Sequence, residues 1–322
     1  MHDASANPGV SRAKQAGELE PAWSQHMSSE ALLFLRSRVI QFSRRKFLCG
    51  AAASPILVAA AHHKHVTPFA QATEQRQSFD ARSAMRFSNL PDLARYGLKD
   101  VTVVYASELW PKKANRSEPD LAFVRSETIP RVRRKAADLV VIDVEHWDLS
   151  GTSPDAIERN IQRYRAILDA FRTHLPGVRH GLYGMVPIRN YWTPVRGRSA
   201  DLVTWRNENE RLKPIADATD VIFPSLYTFY DDRNGWLTYA NANMTEARQY
   251  GRPVYPFLWP QYHKSWKPID RDFWRLQLET VFDNADGMVI WTPAKGKPRW
   301  NPAAPWWEET VEFLKTAGLS NW

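Results

Sequence analysis

Ala137-Asp138-Leu139-Val140-Val141-Ile142-Asp143-Val144-Glu145-His146-Trp147-Asp148 reads as a buried β-strand that runs out into polar chain. Leu, Val and Ile in unbroken succession suit a strand covered on both faces, as in a parallel sheet. Side chains of a strand alternate between faces, so Val141, Asp143 and Glu145 share one face while Ile142, Val144 and His146 share the other. Carboxyl groups directly after Val-Val-Ile are costly to desolvate unless a proton, hydrogen bonds or a ligand neutralises them. Their proximity raises the pKa of one, and a carboxylic acid still protonated near neutrality can protonate a leaving oxygen. Asp143 and Glu145 are therefore a candidate acid/base pair. A strand end fading into a solvated loop would leave the same pattern.

Working outward, further short apolar runs recur at 101–105, 180–184, 220–226, 253–259 and 287–291, each reading as a buried strand. Between them lie stretches of helical period at 126–135, 153–173, 201–216, 237–250, 272–284 and 306–317. Ser153-Pro154 opens one of these helices and Pro176-Gly177 closes it. Strand and helix alternate over about 220 residues, which predicts an α/β fold with a parallel sheet. The sequence has neither a Gly-x-Gly-x-x-Gly nor a Gly-x-x-x-x-Gly-Lys stretch, so a closed TIM-type (β/α) barrel is expected rather than an open nucleotide-binding sheet. The runs number six, so one or two strands are expected within the irregular 108–125 segment or elsewhere, or the barrel is distorted.

The chain has 322 residues, 43% of them hydrophobic and 24% charged, which excludes disorder and fibrous repeats. A formal charge of +8 suggests nucleic acid at first sight, yet residues 1–70 hold eight Lys/Arg against four Asp/Glu, leaving 35 against 31 elsewhere. The body is only mildly basic, and no nucleic-acid partner is expected. The lone cysteine, Cys49, excludes a disulfide framework. Ser43-Arg44-Arg45-Lys46-Phe47-Leu48, followed by an alanine-rich uncharged stretch to Ala61, has the layout of a twin-arginine export signal and is too short for a stable membrane span. Residues 1–70 are thus expected to be a leader and 71–322 a single barrel domain. Export machinery is the implied partner and a periplasmic or secreted location the implied destination. Translation from Met27 and a mature start between His62 and Phe79 are both compatible with this layout. A tract beside a cleavage region, such as His62-His63-Lys64-His65, is usually unstructured rather than metal-binding. The remaining histidines are scattered, with neither metal-ligand spacing nor a nucleophile elbow, and no cofactor or metal is expected.

Aromatic residues concentrate at the same strand ends. Tyr183, Tyr227, Trp259 and Trp291 fall at or just beyond the carboxyl ends of runs, the face on which barrel active sites sit. Trp110, Trp192, Tyr230 and Tyr262 follow in the loops, where they can stack on sugars or simply pack over the rim. Trp205, Trp274, Trp306 and Trp307 lie in helical stretches and are expected in the core. Arg189, Arg196 and Arg198 follow Tyr183 and either face an anionic chain or stay solvated.

Val141-Ile142-Asp143-Val144-Glu145-His146-Trp147 resembles the catalytic strand of the hyaluronidases of glycoside hydrolase family 56. Gly181-Leu182-Tyr183-Gly184, Phe223-Pro224-Ser225-Leu226-Tyr227, Pro253-Val254-Tyr255-Pro256-Phe257 and Gly287-Met288-Val289-Ile290-Trp291 resemble further strands of that family in the same order. The resemblance implies Glu145 as general acid and base, with Asp143 orienting the acetamido group of an N-acetylhexosamine in a polysaccharide substrate. It implies that Tyr227 and Tyr183 bound the adjoining subsite over a Trp291 floor, and Tyr227 is counted with Glu145 and Asp143 among the expected catalytic residues. Trp259, Tyr230 and Trp147 are further expected substrate contacts. The substrate's own acetamido oxygen then serves as nucleophile. Asp138 echoes the first acid of the family 18 chitinase signature, although Val141 stands at the second. Asp148 occupies a position where the hyaluronidases tend to have Arg. Two other readings stay open on the residues alone. One is a glycosidase with two enzymic carboxylates, the second being Asp231, Asp232 or Glu108; the other is a non-catalytic carbohydrate-binding barrel.

Overall fold

The structure, a computed structural model, describes residues 79–293 and 298–320. The leader, the twin-arginine motif, Cys49, the histidine tract and the boundary at residue 70 lie outside those residues.

The chain forms a TIM-type (β/α) barrel. Strand β1 (Asp80–Ala84) pairs in parallel along its whole length with β7 (Gly287–Trp291), and on its other side with β2 (Lys99–Asp100). Val101 carries the chain from β2 into β3 (Thr102–Tyr105), donating its N–H to Ser83 O at 3.1 Å. β3 pairs with β4 (Leu139–Asp143), and β4 with β5 (Arg179–Leu182). From there Gly184 N–H donates to Phe223 O at 2.9 Å, Ile222 N–H to Pro253 O at 2.9 Å and Phe257 N–H to Pro224 O at 2.8 Å. β6 (Phe257–Leu258) then pairs with β7, which closes the ring. With β2 and β3 taken as one strand, and the 220–226 segment as another, seven parallel strands make the circuit among the described residues. The fifth and sixth positions show isolated bridges rather than long ladders because Pro224, Pro253 and Pro256 have no N–H to donate.

The strand expected within 108–125 is not there. That stretch holds a 3-10 turn, a loop and the start of a helical turn at Leu121–Phe123. The additional strand is β1, Asp-Ala-Arg-Ser-Ala, whose inward positions Asp80 and Arg82 carry opposite charges. An ion pair inside the barrel removes the apolar signature by which a buried strand is recognised.

The alternation read in the 137–148 stretch is realised by β4. Leu139 and Val141 pack in the barrel interior with Val103, Phe223, Phe257 and Val289. Val140, Ile142 and Val144 pack outward against the helical layer, including Ile161, Tyr164 and Phe171 of the helix Pro154–His174. Ser153 caps that helix by accepting from Ala156 N–H. Helices Arg233–Arg248, Arg271–Asn284 and Pro305–Thr316 cover the opposite side, where Trp236, Trp274 and Trp307 are buried against Met288 and Ile290. Gly181 faces inward in β5, where a Cβ would come within 2.1 Å of Val221 O and press on the Phe223 ring. A side chain there would push the neighbouring strand away.

At the amino-terminal end of the strands an ion cluster closes the barrel. Arg82 donates to both carboxylate oxygens of Asp80, at 2.9 and 2.7 Å, and to both of Asp138, each at 2.6 Å. Arg179, Lys99 and the Tyr255 hydroxyl complete the shell around Asp80. Asp138 therefore serves this cluster, at the opposite end of β4 from Asp143.

Among the described residues no helix is long and apolar enough to cross a membrane.

Candidate active site

Asp143 is the last residue of β4 and stands in register beside Tyr105 of β3. Glu145, two residues on, is exposed. Desolvation by burial, with the Glu145 charge added, pushes the Asp143 carboxyl up from 3.8 to about 7. The pair thus separates into a half-buried Asp143 that holds its proton up to neutrality and a Glu145 open to solvent.

The floor is aromatic. Trp291, at the end of β7, stacks on Tyr227 at 5.5 Å between ring centroids and meets Trp259 edge-on at 5.2 Å. Tyr227 also lies 5.4 Å from Trp259 and 5.9 Å from Tyr183. The Trp291 indole donates to the Tyr105 hydroxyl at 3.1 Å, and the Tyr183 hydroxyl donates to Ser225 Oγ at 2.9 Å. Burial raises the Tyr183 and Tyr227 phenols above their usual range, so both remain neutral hydroxyls. Asp143, Glu145, Tyr183, Tyr227, Trp259 and Trp291 are therefore brought together at the carboxyl-terminal end of the barrel.

Two candidates are placed elsewhere. Trp147 faces outward and is buried between Trp110 and Tyr164, its indole donating to Ser117 O at 3.0 Å. It is a core residue, because the strand alternation puts position 147 in phase with Asp143 only while the chain stays extended, and β4 has already ended. Tyr230 packs with Tyr191 and Trp192, at 4.8 and 4.9 Å, in a separate aromatic cluster. Tyr105, His263 and Arg86 join the site without having been singled out. Tyr105 ends its strand run as the recognised aromatics do, which was the available signal. His263 stacks on Tyr227 at 6.0 Å, and Arg86 lies 4.5 Å over the Tyr105 ring. Arg189 is half-buried over Phe229 at 5.6 Å; burial works against its charge, and the charge of Glu145 is among the neighbours that favour it. Arg198 instead pairs with Asp201, and Arg196 covers Trp192.

The alternative carboxylates are engaged in local structure. Asp232 caps helix Arg233–Arg248 by accepting from Gly235 N–H at 2.9 Å, Asp231 accepts from the Tyr262 hydroxyl at 2.7 Å, and Glu108 accepts from Tyr105 N–H at 3.0 Å. Among the described residues no group of three or more His, Cys, Asp or Glu side chains is arranged to hold a metal ion.

The raised Asp143 pKa carries a stability signature. The folded chain binds this proton more tightly than the unfolded chain, so stability declines as pH rises from about 4 through about 7. Asp143→Asn cannot ionise and escapes that penalty. The variant is expected to be more stable than the wild type above pH 7, by up to roughly 4 kcal/mol, and equal to it below pH 4. Urea unfolding at both ends of the range checks this; a difference independent of pH would show that Asp143 titrates normally.

No protein-family model matches the chain, and no curated protein sequence matches it. Among solved structures, bee venom hyaluronidase is similar with a TM-score of 0.56 and 15% identity, over 74% of this chain and 97% of that one. The same enzyme in complex with a hyaluronic acid tetramer gives 0.54 and 13%, over 74% and 96%. The chain thus shares with that enzyme, over nearly the whole of the enzyme's length, the TIM-type barrel fold.

Proposed function

We propose that the protein is a glycoside hydrolase that cleaves a polysaccharide containing N-acetylhexosamine by substrate-assisted acid/base catalysis. The observation that carries this reading is the pairing of an open Glu145 with a half-buried, proton-retaining Asp143 above an aromatic floor. Glu145 protonates the glycosidic oxygen as its bond to the anomeric carbon breaks. The acetamido oxygen of the same sugar attacks that carbon, while Asp143 holds the acetamido N–H. Glu145, now a carboxylate, takes a proton from the water that reopens the cyclic intermediate. Tyr227 and Tyr183 offer neutral hydroxyls to the same sugar, and Trp291 with Trp259 supplies apolar ring faces. This scheme needs one acid/base carboxylate and one orienting carboxylate, and the remaining carboxylates near the mouth cap a helix or hold a loop. The similarity to the barrel of a hyaluronidase supports the same reading, as do the five strand-end motifs. The twin-arginine layout of residues 43–61 adds export to the periplasm or beyond.

Reducing-end release from hyaluronan, chondroitin, chitooligosaccharides and de-N-acetylated chitosan tests the proposal. Activity is expected only on N-acetylated polymers. Equal activity on the de-N-acetylated polymer would replace acetamido assistance by a second enzymic carboxylate, and binding without cleavage of any polymer would leave a carbohydrate-binding barrel.

A further inference from the structure

Trp266 combines two features that stability disfavours. Its side chain is 44% exposed, and its backbone φ is +59°, in the left-handed region that bulky residues avoid. Glycine or asparagine would hold this backbone at lower cost. The surrounding hairpin nevertheless specifies the conformation. Trp266 N–H donates to Tyr262 O at 2.8 Å, Tyr262 N–H donates to Lys267 O at 2.9 Å, and Gln261 bridges to Pro268 in antiparallel fashion. The Gln261 carboxamide then ties this loop to the site: it accepts from the Trp259 indole at 2.9 Å and donates to Trp266 O at 2.8 Å. One side chain therefore sets both the ring orientation of Trp259 on the floor and the backbone that displays Trp266.

The two indoles meet edge-on at 5.6 Å, and Trp259 meets Trp291 at 5.2 Å. A line of three tryptophans thus leads from the end of β7, beside the carboxylates, to the open surface. The outermost ring is left uncovered, with Trp259 as its aromatic neighbour. An exposed, backbone-fixed indole of this kind offers a flat apolar face at little entropic cost, which is what the C–H face of a pyranose ring requires.

We propose that Trp266 is the stacking platform of an outlying sugar subsite, reached from the catalytic floor through Trp259, so that the protein grips its polymer over several sugar units. The proposal rests on the carbohydrate reading of the site. It makes Gln261 a positioning residue for that platform.

The test compares wild type, Trp266→Gly and Trp266→Phe on a polymer cleaved by the wild type and on its tetrasaccharide. Glycine accepts the left-handed backbone, so Trp266→Gly is expected to fold with unchanged or higher thermal stability. Its KM for the polymer is expected to rise about tenfold, which corresponds to about 1.4 kcal/mol, with kcat and the tetrasaccharide KM nearly unchanged and Trp266→Phe recovering most of the loss. Equal KM for the polymer in Trp266→Gly and wild type would overturn the subsite while leaving the enzymatic reading intact. Loss of stability with a parallel loss on both substrates would also overturn it, in favour of a structural role. If the wild type cleaves nothing, the enzymatic reading fails on its own. Calorimetric titration with hyaluronan and with chitooligosaccharides then decides the subsite: weaker binding by Trp266→Gly supports it, and equal or absent binding overturns it.

Discussion

Glu145→Gln is expected to fold like the wild type and to lose activity by a factor of roughly 10² to 10⁴, the usual contribution of a positioned acid/base group. Folding is spared because Glu145 is exposed, so an isosteric amide removes little that holds the barrel. Activity is not spared, because an amide cannot protonate the departing oxygen. The substitution also removes one of the two causes that raise the Asp143 pKa, so Asp143 should titrate at lower pH in this variant. Two readouts follow from one change: reducing-end release on the preferred polymer, and the pH at which the decline in stability levels off. Wild-type turnover by Glu145→Gln would remove Glu145 from the chemistry. Azide rescue of a Glu145→Gly variant would instead point to a separate enzymic nucleophile.

The largest stability effect is expected at the opposite end of the barrel. Arg82 is 1% exposed and binds two carboxylates with paired hydrogen bonds. Arg82→Met leaves Asp80 buried with only Lys99, Arg179 and the Tyr255 hydroxyl as partners. Loss of one partner from a buried pair costs about 3 to 5 kcal/mol, and the residual partners place the expected cost near the lower bound. The double variant Asp80→Leu with Arg82→Met removes the stranded charge and should regain much of that loss. Urea unfolding of the single and double variants separates the effects; a single variant as stable as the wild type would show that the cluster contributes no net stability. The cluster also sets an acid limit. The Arg82 hydrogen bonds hold the Asp138 carboxyl down at about 2, and Asp80 is likewise lowered: burial works to raise it, but the charges of Arg82, Lys99 and Arg179 more than offset this. The cluster's contribution is therefore complete above the ordinary carboxylate range and is lost as pH falls toward 2.

These expectations reach different depths into the sequence. The unbroken apolar runs at Leu139–Asp143 and Gly287–Trp291 were legible with the bounds that the strands adopt. Asp143 and Glu145, together with Tyr183, Tyr227, Trp259 and Trp291, were legible because alternation and strand-end position are local properties of the chain. β1 was not legible. Asp80 and Arg82 neutralise one another and are satisfied by Asp138, 56 residues away from Arg82, a pairing that no local window contains. Trp147 was misplaced for a related reason, since its neighbours Trp110 and Tyr164 lie on other elements and draw it out of the mouth.

By itself, the sequence determined the barrel class and the placing of two carboxylates at the end of one strand, since both depend on the order of apolar, acidic and aromatic residues along single strands. Tertiary structure alone decided that Asp143 keeps its proton up to neutrality, because burial and the approach of Glu145 set its pKa. It also decided the number of strands, because β1 is held by the ion pairing of Arg82 with Asp80 and Asp138 and not by an apolar run. The reach of the aromatic floor out to Trp266 belongs to the same class. It depends on a left-handed backbone held by a hairpin and by Gln261, and those contacts exist only once the loop has closed against the barrel.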